Sequence, residues 1–249
     1  MKIKFHTTLF IGLLFIAWGF QANAQSWEPL SYEEMGKILQ GINDRYKNLH
    51  SFSVTVTHSS YENYFSKNPA DRSTGYFRKE GLNYHSFLLG IHSVQNSRYK
   101  VVIDTAQNSI MVSNPSGEMT GSLTLGEYDA LLKLCSSLKT YSDGDEKHFR
   151  MEFRDYTFSA IELALTADGL MKEMVFYYRQ EVDKNPDEPN SPKTKPRLSI
   201  VFSDYRQGIT FNYNDEFDEA RYFALSGNRL VVTDAFKKFK LRDLRVPLN

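Results

Sequence analysis

The sequence predicts an α+β domain in which one large, strongly curved antiparallel sheet packs against helices on one side. Three observations support this prediction. One amphipathic helical segment follows the N-terminal leader, many short runs of alternating apolar and polar residues come after it, and short turns separate these runs. Strands joined by short turns pair antiparallel, because parallel pairing needs crossover connections of a dozen or more residues. Helix, strands, helix and further strands, in that order, are typical of the α+β class.

The N-terminal leader, residues 1–24, has the three parts of a secretory signal peptide. Lys2 and Lys4 make a basic start, Leu9 to Phe20 is an apolar run, and Ala22-Asn23-Ala24 is a small-x-small cleavage site. The apolar run is shorter than a membrane-spanning helix, which needs about 20 residues, so a retained membrane anchor is the less favoured alternative. We expect a soluble, periplasmic mature chain of residues 25–249.

Composition narrows the classes of partner. The chain has 30 basic and 30 acidic residues, and this balance argues against nucleic-acid binding, which requires a basic surface. The single cysteine, Cys135, allows no internal disulfide and lies far from the cleavage site, where a lipoprotein would carry its lipid-attached cysteine. About 225 residues are enough for one domain, and we expect residues 25–249 to form one.

The first elements follow from two periodicities. Residues 31–49, SYEEMGKILQGINDRYKNL, have helical apolar spacing behind a capping box formed by Ser31 and Glu34. Residues 51–61, SFSVTVTHSSY, alternate and predict a half-buried strand. The next predicted strands are TGYFRKEG, LNYHSFLLG, SRYKVVID and NSIMVSNP, which are separated by glycines and polar turns.

The second half repeats the pattern. Residues 124–141, TLGEYDALLKLCSSLKTY, predict a second helix with Cys135 on its buried face. The predicted strands that follow are HFRMEFRD, FSAIELALT, LMKEMVFYYRQ, RLSIVFSDY and GITFNYN, and an Asp-Gly turn in TADGL joins two of them. The proline-rich segment 181–197 predicts a mobile polar loop. The C-terminal tail has a predicted hairpin at Ser226-Gly227-Asn228.

The sequence contains no motif that predicts catalysis or metal binding. It has no G-x-S-x-G elbow, P-loop or dinucleotide fingerprint, and Cys135 on an apolar face is not a nucleophile. The acidic segments SDGDEK and NDEFDEA lack the ligand ladder of a calcium loop. The mature chain has five histidines, and no two of them have the i, i+4 spacing of a helical zinc site: His50, His58, His85, His92 and His148. We expect no cofactor and no metal; a secreted hydrolase remains the least favoured alternative.

The alternating strands provide the remaining functional signal. Two helices cover a sheet of this size incompletely, so part of its apolar face could line a cavity for an acyl chain. The competing interpretation is that the same side chains fill a core beneath the helices. Both interpretations concern the same inward-facing residues: Phe52, Val54, Val56, Ile161, Leu163, Leu165, Met174, Phe176 and Tyr178.

The order of these segments resembles periplasmic outer-membrane lipoprotein carriers, the LolA-like family. The resemblance rests on a helix leading through Leu49 to a strand that opens at Ser51, on the run from Gly75 to Lys79, and on the hairpin from Val102 to Pro115, in which Asp104 and Pro115 match the family's pattern. TADGLMKEMVFYY and RLSIVFSDY are similar to the family's later hairpin and strand. The similarity covers most of residues 32–214 and is one of order and periodicity.

The resemblance implies an incomplete β-barrel with helices across its open side and a hydrophobic cavity between them. It also implies that lipids or acylated proteins are the cargo, that a membrane-bound donor or acceptor is a partner, and that the protein is not an enzyme. By position alone, Arg78 is the candidate functional basic residue. The alternative is a non-enzymatic accessory or scaffold protein of a cell-envelope assembly, with a filled core, that acts through its surface.

Overall fold

The computed structural model describes residues 26–115, 128–184, 187–188 and 190–245. The predicted signal peptide lies outside the described residues. Three α-helices are present in the described part: α1 (Tyr32–Asn48), α2 (Tyr128–Lys133) and α3 (Tyr213–Glu216). Two 3-10 turns, Glu219–Arg221 and Asp234–Phe236, lie in the C-terminal tail.

Strands make up most of the structure. In chain order they are β1 (Glu28–Pro29), β2 (Ser51–Tyr61), β3 (Asp71–Glu80), β4 (Asn83–Leu88), β5 (Ile91–Gln95), β6 (Lys100–Asp104), β7 (Ser109–Ser113), β8 (Cys135–Asp143), β9 (Glu146–Phe153), β10 (Phe158–Leu165), β11 (Met171–Tyr178), β12 (Val182–Asp183), β13 (Lys193–Thr194), β14 (Arg197–Gln207), β15 (Phe223–Ser226), β16 (Arg229–Val232) and β17 (Lys240–Asp243).

Thirteen of these strands form one sheet in the order β1-β8-β9-β10-β11-β14-β2-β3-β4-β5-β6-β7-β17. Every pairing is antiparallel except that of β7 with β17, which is parallel. The sheet is strongly curved, and among the described residues its two edge strands, β1 and β17, do not pair with each other. The predicted class, an open, curved antiparallel sheet with helices, is therefore confirmed.

Helix α1 begins and ends as its sequence predicts. The Ser31 side chain accepts from the Glu34 backbone N–H, and the Glu34 carboxylate accepts from Ser31, which completes the capping box. At the other end, Lys79 Nζ on β3 donates to the carbonyl oxygens of Tyr46, Lys47 and Leu49 at 2.9, 3.3 and 2.8 Å. These bonds satisfy carbonyl groups that have no partner within the helix.

The buried stripe of α1 covers the concave face of the sheet. Met35, Leu39, Ile42 and Tyr46 are buried there in one cluster with residues of β2, β3, β8, β9, β10, β11 and β14. We call this cluster the inner core. Tyr46 Oη lies 2.6 Å from Tyr205 Oη and accepts from the Met171 backbone N–H, so its one polar atom is also satisfied.

A second apolar cluster, which we call the outer core, lies on the opposite face of the same sheet. Phe77 on β3 belongs to the inner core. The next residue, Arg78, is paired in register across neighbouring strands with His85, and the pairing continues through Val94, Val101 and Val112. Because successive residues of a strand point to opposite faces, these paired residues face away from α1. The tail covers them with Tyr222 and Phe223.

The prediction of a second helix over residues 124–141 is wrong for most of its described part. The helix is limited to Tyr128–Lys133, and Cys135 begins β8 instead of lying within a helix. Strand pairing overrides the helical spacing, because Leu138 pairs with Met151 on β9 and both side chains enter the inner core. Cys135 is nevertheless buried, and burial raises the pKa of its thiol to about 11.

Two other predictions for strands need correction. GITFNYN, residues 208–214, is not a strand: Gly208 has φ of 68°, the chain leaves the sheet there, and Asn212 caps α3. Strand β5 was not predicted, because its polar residues hide the alternation. The hairpin of β10 and β11 around TADGL and the tail hairpin of β15 and β16 are both present as predicted.

Segment 181–197 contains the short strands β12 and β13, which pair with each other. Thr194 Oγ1 donates to the Glu62 carbonyl oxygen at 2.5 Å, and Lys184 forms an ion pair with the Glu62 carboxylate. This part of the chain therefore contacts the loop that joins β2 to β3. Its mobility stays a prediction.

Candidate binding cleft

The structure contains a partly open cleft of about 530 Å³ between α1 and the ends of three strands, β8, β9 and β10. We call it the α1 cleft. The turn at residues 166–169, which joins β10 to β11, closes one side of it. Its volume falls within the about 300–1,000 Å³ that is usual for small-molecule sites.

Apolar side chains form the floor of the α1 cleft. Ile38 and Ile42 come from the helix, Phe149 and Leu165 come from the sheet, and Leu30 precedes the helix. Leu30 is held in place because its backbone N–H donates to the Leu138 carbonyl oxygen at 2.9 Å. The sheet side of the floor continues directly into the inner core, to which Phe149 and Leu165 belong.

Charged side chains stand around the apolar floor. Arg45 lies on α1 and Lys147 on β9, while Asp145 and Asp168 lie in the turns at the ends of the strands. Thr166 Oγ1 donates to Asp168 Oδ1 at 2.6 Å, so this carboxylate is bound within its own turn. Within the part of the chain that the structure describes, neither Arg45 nor Lys147 forms an ion pair.

The predicted cavity residues lie where the alternation places them, on the concave face. Seven of the nine are buried: Phe52, Val54, Val56, Ile161, Leu163, Leu165 and Met174. Phe176 is partly buried against the inner core, and Tyr178 is half-buried with its ring 5.0 Å from that of Phe158. Of the nine, Leu165 lines the α1 cleft. A role of these residues in ligand binding stays a prediction.

The candidate basic residue Arg78 lies on the convex face, away from α1. Its guanidinium forms an ion pair with Glu216 of the tail and lies 4.3 Å from the centroid of the Tyr76 ring. The hydrogen bond to Glu216 raises the pKa of Arg78. Arg78 therefore connects the sheet to the tail and is remote from the α1 cleft, which lies on the other face.

Glu216 is the centre of a polar network on the convex face. Its second oxygen lies 3.1 Å from His85 Nδ1, and His85 Nε2 lies 3.0 Å from Tyr76 Oη. Burial opposes ionisation of Glu216, but hydrogen bonds from Arg78 and His85 outweigh burial and lower its pKa. Burial lowers the pKa of His85, and Glu216 only partly offsets this effect.

Of the residues that line the α1 cleft, only Leu165 was among the predicted cavity residues, and Ile38, Arg45 and Lys147 are among those that the sequence interpretation missed. A signal for Ile38 and Arg45 was available, because residues 38, 41, 42 and 45 have the i, i+3, i+4, i+7 spacing of one helix face. Lys147 also gave a signal, since it continues the inward alternation of Phe149 and Met151 on β9. Which sheet positions a helix leaves uncovered depends on packing, and the spacing alone does not reveal it.

Within the described ranges, no group of three or more metal-ligating side chains is close enough to hold a metal ion. None of the helices described is long and apolar enough to cross a membrane.

Comparison with known proteins gives similarity of structure alone. No family model and no curated protein matches the chain. Among solved structures, a LolA superfamily protein from Nitrosomonas europaea is similar over 71% of this chain and 96% of that protein, with 12% identity and a TM-score of 0.27. A domain described as an outer membrane lipoprotein-sorting protein, from Vibrio parahaemolyticus, is similar over 74% of this chain and 97% of the domain, with 12% identity and a TM-score of 0.31.

An uncharacterized conserved protein from Thermus thermophilus is similar over 73% of this chain and 91% of that protein, with 10% identity and a TM-score of 0.39. The family that the sequence resembles is thus represented among the similar structures.

Proposed function

We propose that this chain is a periplasmic, non-enzymatic carrier that holds acyl chains of lipids or lipoproteins during transport across the cell envelope. The observation that supports the proposal most directly is the α1 cleft, in which an apolar floor opens to solvent between the helix and the sheet. A membrane-bound donor and acceptor are the partners that such a carrier needs. The predicted signal peptide accounts for the compartment.

Apolar transfer would drive the loading of the cargo. Moving a chain from water into the cleft is favourable by roughly 0.8 kcal/mol per buried CH₂. Displacement of α1 would extend the cleft toward the inner core, because Ile42 belongs to both the cleft floor and the buried stripe. Phe52, Val54 and the other predicted cavity residues would then contact the cargo.

A second candidate function, that of an accessory protein of an envelope assembly, is favoured by one observation. Most of the predicted cavity residues are buried together with the α1 stripe in one cluster. A protein with a filled core would act through its surface and would need no cargo. The two functions differ in whether the purified protein contains or takes up lipid.

Native mass spectrometry of mature protein from its own periplasm, followed by solvent extraction, tests the proposed function. We expect a bound lipid or acylated peptide, and we expect Ile38→Gln to reduce its occupancy, since this change makes the cleft floor polar at a position where glutamine keeps the helix. Val231→Gln is the matched control, because Val231 is an exposed apolar residue of the tail hairpin that does not line the cleft. A clean unliganded mass that does not change when lipid is added would favour the accessory protein instead.

A further inference from the structure

We propose that the α1 cleft takes an acyl amphiphile with an anionic head group, whose head is bound by Arg45 and Lys147. This inference rests on the proposed function for its acyl chain and adds the class of head group. It concerns two cations at the cleft, one from the helix and one from the sheet. Neither cation is used by the polar network on the convex face.

Lys147 is a charged residue on the concave face, at a position that the strand pattern assigns to the inside. It is two residues before Phe149 and four before Met151, both of which are buried in the inner core. In the sheet it pairs with Ser142 on one side and Leu165 on the other, and both of these residues also line the cleft. The strand register therefore places Lys147 at the end of the apolar floor.

Arg45 approaches the same cleft from the helix. It is one turn beyond Ile42 and two turns beyond Ile38, on the helix face that lines the cleft. The neighbouring cation of the same last turn, Lys47, does not line the cleft. Two exposed cations from different elements thus share one opening, and in the described part of the chain no acidic side chain pairs with either.

The two acidic residues of the lining are placed differently from the cations. Asp168 accepts the Thr166 hydroxyl within its turn. Asp145 lies in the β8–β9 turn, at the outermost end of the hairpin. Two positive charges at one opening repel each other, and an anion bound between them removes this repulsion. Guanidinium and ammonium groups are the usual ligands of carboxylate and phosphate. The shared head-group chemistry is therefore a carboxylate or phosphate attached to an apolar chain.

Titration calorimetry below the micelle concentration tests this inference with three probes that share a palmitoyl chain. Palmitoyl-lysophosphatidylglycerol has an anionic phosphate head, palmitate has a carboxylate, and monopalmitoylglycerol has an uncharged head that contains neither group. We expect the anionic probes to bind about fivefold to tenfold more tightly than the neutral one, and we expect added salt to remove this preference. A preference for one of the two anionic probes would identify the head group.

Variants separate the cations from the rest of the cleft. Arg45→Gln and Lys147→Gln should each remove most of the preference for anionic probes, measured as the ratio of the affinity for each anionic probe to the affinity for monopalmitoylglycerol. Lys47→Gln is the matched control, since it removes an equal charge from the same helical turn without touching the cleft. Asp145→Asn should have the opposite effect and strengthen anion binding, because it removes a repelling charge.

The outcomes distinguish this inference from the proposed function. Equal affinity for all three probes, with no effect of salt or of Arg45→Gln, would overturn the assignment of the head group and leave the acyl-chain carrier in place. Binding of none of the probes by folded protein would overturn the carrier and this inference together. A loss of anion preference in Lys47→Gln equal to that in Arg45→Gln would show a general effect of charge and would also overturn it.

Discussion

The inner core and the outer core lie on opposite faces of one sheet, and they are closed by different chemistry. Helix α1 covers the inner core with an apolar stripe, and the hydroxyl groups of Tyr46 and Tyr205 satisfy each other and the Met171 backbone there. The tail covers the outer core with Tyr222 and Phe223. Ion pairs between side chains hold this tail in place, whereas α1 is held on the sheet by the hydrogen bonds of the Tyr46 hydroxyl and by those from the Lys79 ammonium to backbone carbonyl oxygens.

Two glutamates connect the tail to the sheet. Glu216 binds Arg78 and His85, and Glu219 binds Arg98 and the amide of Asn96. Charged groups buried at an interface depend on their partners, because an unpaired buried charge is strongly unfavourable. The difference between the regions suggests that the inner core sets global stability, while the attachment of the tail depends on pH.

The largest expected effect is that of a cavity in the inner core. Phe52 is fully buried between Tyr46 and Phe77, so we expect Phe52→Ala to lower the free energy of unfolding by about 3–5 kcal/mol. Urea denaturation measures this loss. Phe65→Ala is the matched control, because 90% of Phe65 is exposed, and it should change stability by less than about 0.5 kcal/mol. Equal losses in the two variants would contradict the assignment of the inner core.

Much of the inner core could be predicted from the sequence. The capping box at Ser31 and the apolar spacing of α1 are local, and so is the alternation in β2. Local patterns also predicted the hairpin of β10 and β11, because its Asp-Gly turn specifies the connection. These elements were correct because the residues that decide them are close together in the chain.

The outer core and the cleft could not be predicted in the same way. Alternation in β6 shows that Val101 and Ile103 share a face, but not whether a helix or the tail covers that face. Helical spacing suggested a helix through Cys135, but pairing with β9, a distant contact, decides that it begins a strand. The α1 cleft depends on where a helix stops covering a sheet, which is a property of packing.

A smaller effect is expected where the tail binds the sheet. Glu216→Gln removes the charge that Arg78 and His85 bind, so we expect a loss of about 1–2 kcal/mol. Hydrogen exchange should show the loss as faster exchange in residues 212–245, with the inner core unchanged. Glu146→Gln is the control, because Glu146 pairs with the exposed Lys172, and solvent screening makes such a surface ion pair contribute little to stability.

The same residue gives the tail an expected dependence on pH. The folded-state pKa of Glu216 lies below its ordinary value of 4.5, so its contribution is present above that value and is lost as the pH falls through the folded pKa. Wild-type protein should therefore show weaker protection of the tail, measured relative to the intrinsic exchange rate at the same pH, when the pH is lowered below about 4.5. Glu216→Gln should remove this step; an identical acid response in the variant would assign the step to another group.

The smallest effect is expected at the turn between β4, whose Tyr84 belongs to the inner core, and β5, whose Val94 belongs to the outer core. Leu89 and Gly90 join β4 to β5 with φ of 51° and 80°, and Leu89 is 59% exposed. Leucine is unfavourable in this left-handed conformation, whereas asparagine tolerates it. We therefore expect Leu89→Asn to raise the free energy of unfolding by about 0.5–1 kcal/mol, measured by urea denaturation.

Leu82→Asn is the control for this last prediction, because Leu82 is 73% exposed in the preceding turn and has no positive φ. That variant should change stability by less than about 0.5 kcal/mol. A gain from Leu89→Asn alone assigns the effect to the backbone, since both changes remove an exposed leucine. An equal gain in both variants would assign the effect to the loss of exposed apolar surface, and the turn that joins β4 to β5 would then be unstrained.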